Sequence, residues 1–147
     1  MNIDFPIYDL PPSTVSLRKQ VRQFISEEIA AGHWQRRGDF GTAHDGQFSK
    51  RLAAHGWVGM TWPKAYGGQE ASMLDRLVVT EELIAANAPV AAHWIADRQS
   101  GPLLLRFGTE EQRQAFLPKI ARGECFFSIG MSEPDSGSDL ASVRTRA

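Results

Sequence analysis

Cys125-Phe126-Phe127-Ser128-Ile129-Gly130-Met131-Ser132-Glu133-Pro134-Asp135-Ser136-Gly137-Ser138-Asp139 is where the chain changes character. Its first half is a short apolar run with a β-prone Phe-Phe-Ser-Ile centre, which predicts a strand buried on at least one face. Pro134 removes a backbone donor and biases Glu133 toward extended geometry, so the strand ends there. Asp135 to Asp139 then reads as a tight turn, with Gly137 able to take positive φ and Ser and Asp side chains able to bond their own backbone. The turn has two readings. It is a plain strand exit, or it aims several N–H groups and a hydroxyl at one point and receives phosphate oxygens. Its glycines match neither GxGxxG nor GxxxxGK[ST], so neither of those nucleotide motifs is present.

Upstream of this stretch the pattern is helical. After a proline-rich lead over residues 1–12, Ser13 or Thr14 is a candidate cap. Leu17, Val21, Phe24, Ile25 and Ile29 then recur at helical spacing, and Gly32 is a plausible stop. Residues 33–44 are glycine-broken and mixed in charge, which predicts a loop. Asp45 caps a second helix through Ala54, with Phe48 and Leu52 facing the core and Gly56 ending it. Trp57 and Trp62 lie in an apolar connector broken by glycine and proline; each is core filler or a ligand wall, and each carries an indole donor that needs a partner.

Ser72-x-x-Asp75 predicts a capping box opening a third helix with a stripe of Leu74, Leu77, Val78, Glu81 and Ile84 or Ala85, ended by Pro89. Glu81 and Glu82 diverge by about 100° on that helix, so they form no facing acid/base pair, and at most one is buried. Residues 90–107 predict another apolar helix, kinked or split at Gly101-Pro102. Thr109-x-x-Gln112 is a second capping box; its helix loses regular bonding at Pro118 and gains one more turn before Gly123.

The expected fold is therefore mainly α: an N-terminal up-and-down helical domain of five or six helices over 1–124. The first strand and turn of an incomplete β domain follow over 125–147. A lone strand cannot satisfy its own edges, so its sheet is expected beyond Ala147 or in another chain.

At 147 residues, 42% hydrophobic and 22% charged, the chain is long enough to bury a core. A net charge of −1 with no basic patch argues against nucleic acid. No apolar run reaches membrane-spanning length, and the N-terminus does not read as a signal peptide. The single cysteine, Cys125, excludes a disulfide framework within the chain, and a reducing, cytoplasmic setting is expected. His33, His44, His55 and His93 lack zinc-site spacing, so no metal is expected.

Met131 to Asp139 resembles the flavin-binding signature of the acyl-CoA dehydrogenases: a small apolar residue, Thr or Ser, Glu-Pro, two small residues, then Gly-Ser-Asp. Gly108-Thr109-Glu110-Glu111-Gln112-Arg113, Leu117-Pro118, Gly123-Glu124, Trp62-Pro63, Tyr66-Gly67-Gly68 and the helix around Glu81-Glu82-Leu83 resemble the same family in the same order. The resemblance implies FAD and α,β-dehydrogenation of an acyl-CoA thioester, with an electron acceptor such as an electron-transfer flavoprotein and a homo- or hetero-oligomer when full length. It implies that Ile129, Met131 and Ser132 lie along the flavin ring and that Gly137 and Ser138 approach the pyrophosphate. Ser138 would also reach the thioester portion of CoA, while Val90, Ala91 and Trp94 would face the acyl chain, with Trp94 limiting depth.

No catalytic residue is expected in this chain, and Glu133 is not a candidate base, because the family's catalytic Glu belongs to a C-terminal helical domain. The chain alone is then expected to be inactive. Asp135-Ser136 departs from the family's common Gly-Ala, and Ile129 stands where an aromatic residue is frequent. Two other readings stay open: a helical partner subunit or interaction module of a heteromeric flavoprotein, and a related flavin oxidase or monooxygenase.

Overall fold

The computed structural model describes residues 10–34 and 43–146. Among them the chain is mainly helical: α1 (Pro12–Ala30), α2 (Gly46–Ala54), α3 (Met73–Ala85), α4 (Ala91–Ile95), a π-helical segment (Ala96–Ser100), α5 (Gly101–Phe107) and α6 (Glu110–Ala121). Because α4, the π segment and α5 run on without a break, they form one distorted helix. The expected five or six helices are there. The lead over residues 1–9 and most of the 33–44 loop lie outside the described residues.

Local chemistry explains most of the boundaries. The Asp45 carboxylate accepts from the Gln47 and Phe48 amides at 2.8 and 3.0 Å and opens α2. Both capping boxes form, Ser72 with Asp75 and Thr109 with Gln112. The expected cap of α1 does not. Pro11 stands at the cap and Pro12 at the first helical position, where a missing N–H costs nothing, while the Thr14 hydroxyl donates back to Pro11 O at 2.6 Å. Pro118 sits inside α6, which continues through Ala121.

The split expected at Gly101-Pro102 takes the form of the π segment just ahead of it. A proline ring clashes with the carbonyl four residues earlier in an α-helix, and the wider π turn relieves that clash. Gly101 is required for a second reason. A Cβ there would come within 2.1 Å of the Trp62 indole, which packs against the helix at this point.

The core is continuous through Val21, Phe24, Phe48, Leu52, Trp57, Trp62, Val79, Leu83, Leu117 and Ile120. Phe24 meets Phe48 and Trp57 edge-on or tilted at 5.6 and 5.5 Å. The stripe expected on α3 is one position out of phase. Val78, Val79, Glu82 and Leu83 are buried, whereas Leu77 and Glu81 are exposed. The reason is electrostatic: α3 packs on α1 through Glu82, whose carboxylate takes Arg22 Nε at 2.8 Å and a hydrogen bond from Arg18. Ile29, expected on the core face of α1, is more than a third exposed, and Glu28 is buried in its place against Arg51 and His33.

The strand expected at residues 125–133 forms no ladder among the described residues. Its recorded bridge is local, Glu133 with Ser136 inside the turn, because no second strand is present to pair with it. The segment lies instead along the helices: Phe127 meets Phe116 of α6 at 5.9 Å, and the Phe126 ring sits 3.5 Å from where a Cβ of Gly46 would be.

Candidate functional site

Two features follow one another along the C-terminal segment. The first is a cleft of about 540 Å³ between α4 and residues 126–129, lined by His44, Ala91, Ala92, Ile95, Phe126, Phe127, Ser128 and Ile129. Its walls are fixed from both sides. The Ala91 amide, first in α4, donates to Ala43 O at 3.1 Å, and His44 bridges Val90 in antiparallel fashion. His44 in turn meets Phe126 edge-on at 5.9 Å. Small residues on α4 leave the room and aromatic and branched residues on the tail close it, which is the composition of a pocket for an apolar group.

Behind this wall α4 is braced by buried polar contacts. His93 Nδ1 and the Ser49 hydroxyl lie 2.8 Å apart, both inaccessible to water. Burial, reinforced by the positive charge of Arg98, pushes the His93 pKa down to about 4, so the ring is neutral at pH 7. One turn on, the buried Asp97 carboxylate accepts the Gly59 amide at 2.9 Å and lies 3.0 Å from Arg98 Nε. Burial raises the Asp97 pKa despite that guanidinium. Arg98 also covers the Trp94 ring at 5.1 Å and donates to the Thr80 hydroxyl at 2.8 Å. The π segment therefore turns Asp97 and Arg98 toward neighbouring elements and holds α4 in register over the cleft.

The second feature is the turn beyond the cleft. The Glu133 carboxylate takes the Arg144 and Thr145 amides at 2.9 and 2.6 Å and the Thr145 hydroxyl as well, closing residues 133–145 into a loop. Those bonds, the Thr145 hydroxyl first, hold the Glu133 carboxyl below the usual carboxylate range. Inside the loop the Ser136 hydroxyl donates to Asp139 O at 2.8 Å and is buried. The Gly137 and Ser138 amides, by contrast, find no acceptor among the described residues, and both residues are exposed. A Cβ on Gly137 would meet nothing within 4 Å, so that face of the turn is open to a large group.

Among the residues singled out from sequence, Ala91 and Ile129 come together in the cleft. Val90 is buried in the core, and Trp94 is half-buried beneath Arg98 instead of lining this cleft. Met131, Ser132, Gly137 and Ser138 lie exposed on the turn side. His44, Ala92, Ile95, Phe126, Phe127 and Ser128 complete the lining, and no carboxylate is among them. The Phe-Phe-Ser run was visible in the sequence as strand core. Nothing in the sequence marked His44, which follows a glycine-broken loop and reaches the cleft only through its pairing with Val90. Among the described residues no group of His, Cys, Asp and Glu could hold a metal ion.

The open turn fits a phosphate-bearing group in its unpaired amides and in the room around Gly137. Residues 11–124 match the model of the acyl-CoA dehydrogenase N-terminal domain. Acyl-CoA dehydrogenase FadE26 of Mycobacterium tuberculosis is 35% identical over 141 residues, covering 92% of this chain and 35% of the relative. The solved structure of the Tcur3481-Tcur3483 steroid ACAD superposes with a TM-score of 0.82 at 35% identity, over 94% of this chain and 36% of that one. The ChsE4-ChsE5 complex from Mycobacterium tuberculosis gives 0.76 at 33% identity, over 95% and 35%. A glutaryl-CoA dehydrogenase from Mycobacterium smegmatis in complex with FADH2 gives 0.73 at 26% identity, over 92% and 35%. The chain thus spans about a third of the length of the curated relatives it matches. It belongs to the acyl-CoA dehydrogenase family, whose N-terminal helical domain it carries.

Proposed function

We propose that this chain supplies the acyl-side helical wall and the cofactor-facing turn of an FAD-dependent acyl-CoA dehydrogenase. The observation that carries the reading is one of continuity. A single segment forms one wall of an apolar cleft at residues 126–129 and then closes, within a few residues, into a turn with unpaired amides. An acyl chain and a phosphate-bearing cofactor would meet where that segment passes from one to the other.

In this reading α4 and Ile129 exclude water from the acyl group, and Ala91 leaves the space it occupies. Val90 sets the position of that wall from the core, and Trp94, held beneath Arg98, stands outside this cleft and does not set its depth. Ile129, Met131 and Ser132 would hold the ring system, with Ser132 able to offer its backbone and hydroxyl to a polar edge. The amides of Gly137 and Ser138 would receive the pyrophosphate, and the Ser138 hydroxyl would serve the thioester portion of CoA. When bound, FAD supplies the acceptor for the hydride that leaves the β-carbon. The base that takes the α-proton is not one of the described residues of this chain, since no carboxylate lines the cleft and Glu133 is committed to Arg144 and Thr145. On that account residues 1–124 form the helical domain, residues 125–147 open the next one, and the chain alone is inactive. Its electrons would pass to an acceptor such as an electron-transfer flavoprotein.

A visible spectrum of the purified chain, incubated with FAD and stripped of free cofactor, tests the turn. Retained flavin absorbance that is lost on Gly137→Val supports the assignment. Retention unaffected by that substitution removes the turn from it. A second reading, that the chain is one subunit of a heteromeric flavoprotein, is favoured by its likeness to the ChsE4-ChsE5 complex. Co-purification with a second acyl-CoA dehydrogenase polypeptide would select it.

A further inference from the structure

The cleft lining is apolar except at two places, the His44 imidazole and the Ser128 hydroxyl. His44 is exposed yet held in position by its backbone. The bridge to Val90 and the Ala91 amide on Ala43 O set it at the head of α4, and Phe126 stands edge-on beside its ring. Neither ring nitrogen meets an acceptor or donor among the described residues, unlike His93, which has Ser49, and His33, which has Glu28. A pocket that is otherwise Ala, Ile and Phe is sorted by its few polar groups, because an oxygen facing hydrocarbon walls loses its water without replacement.

We propose that His44 is a specificity-determining residue, and that this cleft selects an acyl group carrying a hydroxyl or carbonyl oxygen remote from its thioester over a plain hydrocarbon of the same length. The inference rests on the acyl-binding reading above and adds the substrate class to it. The imidazole accepts from a hydroxyl through its unprotonated nitrogen or donates to a carbonyl through its N–H, so both oxygen functions are served by one ring. Ala91, Ala92 and Ile95 receive the methylenes, and the edge-on Phe126 keeps the ring turned into the cleft.

The test uses the 147-residue chain and two probes, octanoyl-pantetheine and its ω-hydroxy derivative. Binding is followed by NMR shifts of the His44 ring and the Ile129 methyl groups, which register even millimolar affinity. The ω-hydroxy probe is expected to bind about fivefold more tightly, the worth of one added hydrogen bond. His44→Phe should abolish the preference, so that the two probes bind within about twofold of each other. His44→Gln, which still donates and accepts, should keep it, an outcome that a purely structural role for His44 would not give. Equal binding of both probes overturns the inference and leaves the acyl cleft standing. A preference that survives His44→Phe and disappears with Ser128→Ala also overturns it. Failure of either probe to shift Ile129 overturns both the inference and the acyl-binding reading beneath it.

Discussion

The helical body and the C-terminal segment treat their polar groups in opposite ways. In the body, charges that leave water do so with partners: Glu82 with Arg18 and Arg22, Glu28 with Arg51 and His33, Asp97 with Arg98 and the Gly59 amide. From Cys125 onward the chain keeps one strong closure, Glu133 on Arg144 and Thr145, and leaves the Gly137 and Ser138 amides without acceptors among the described residues. Among the described residues the body pairs its buried carboxylates internally, though the buried Trp62 indole N–H finds no acceptor, while the segment leaves those two amides unpaired. That difference, more than any one residue, separates scaffold from site in this chain. It can be tested by unpairing the body, where stability should respond, and by opening the segment, where it should not.

The largest response is expected from pH. His93 has a folded pKa of about 4 against an ordinary 6.5. Between those values the unfolded chain binds the proton and the folded chain does not, so stability rises with pH across that window and is lost as pH falls from 6.5 to 4. The full span amounts to about 3 kcal/mol. Urea midpoints at pH 7 and pH 4.5 measure it, and His93→Gln, which keeps a partner for Ser49 without titrating, should flatten the difference. Glu82 and Glu28 add a further loss in more acid solution. Arg22 holds Glu82 below the carboxylate range, and for Glu28 the hydrogen bonds of Arg51 and His33 outweigh the upward push of burial. Asp97 works against the trend, since its raised pKa favours the folded state as it protonates.

Glu82→Ala comes next, at a cost of about 2 kcal/mol, because it removes the one carboxylate that both Arg18 and Arg22 share at the α1–α3 seam. Glu82→Leu should cost less, since it refills the same volume and both guanidiniums can turn to water. Equal costs for the two, read from urea midpoints, would show that packing and not pairing holds the seam. Asp45→Ala should cost about 1 kcal/mol by stripping the cap of α2, whose amides at Gln47 and Phe48 would be left to water.

The sequence was most legible where one residue acts on its near neighbours. Asp45, Ser72 with Asp75, and Thr109 with Gln112 open helices for reasons contained within four residues. It was least legible where a distant partner decides. Spacing runs the α3 stripe through Leu74, Leu77, Val78, Glu81 and Ile84 or Ala85, because a hydrophobicity pattern cannot show that Glu82, with Arg18 and Arg22 some sixty residues back, is the residue to bury. The kink at Gly101-Pro102 is legible because the proline clash is local, whereas the Trp62 ring that requires Gly101 is a tertiary contact. The cleft was half visible. Ala91 and Ile129 were singled out, whereas His44 depends on a backbone bridge to Val90 across forty-six positions, which no local pattern announces. The strand at 125–133 was read from composition that is accurate, but a ladder needs a second strand, and none lies among the described residues.

The smallest effect on stability, and the sharpest contrast with the body, is expected from Glu133→Ala. The carboxylate is exposed to solvent and its three bonds close only the 133–145 loop, so the global unfolding midpoint should stay where it is in the parent chain. Locally the change should be plain: exchange protection of the Arg144 and Thr145 amides is lost, and the turn no longer holds Gly137 and Ser138 in one arrangement. Glu133→Gln keeps one acceptor oxygen and should fall between the two. Because its hydrogen bonds depress the Glu133 pKa, the closure should persist through the range where ordinary carboxylates protonate and open only in more acid solution. A Glu133→Ala chain that exchanges like the parent would mean that the Ser136–Asp139–Ser142 hydroxyl bonds close the loop by themselves. A chain whose global unfolding midpoint instead falls would erase the distinction between body and segment, because the turn would then belong to the fold it was taken to extend from.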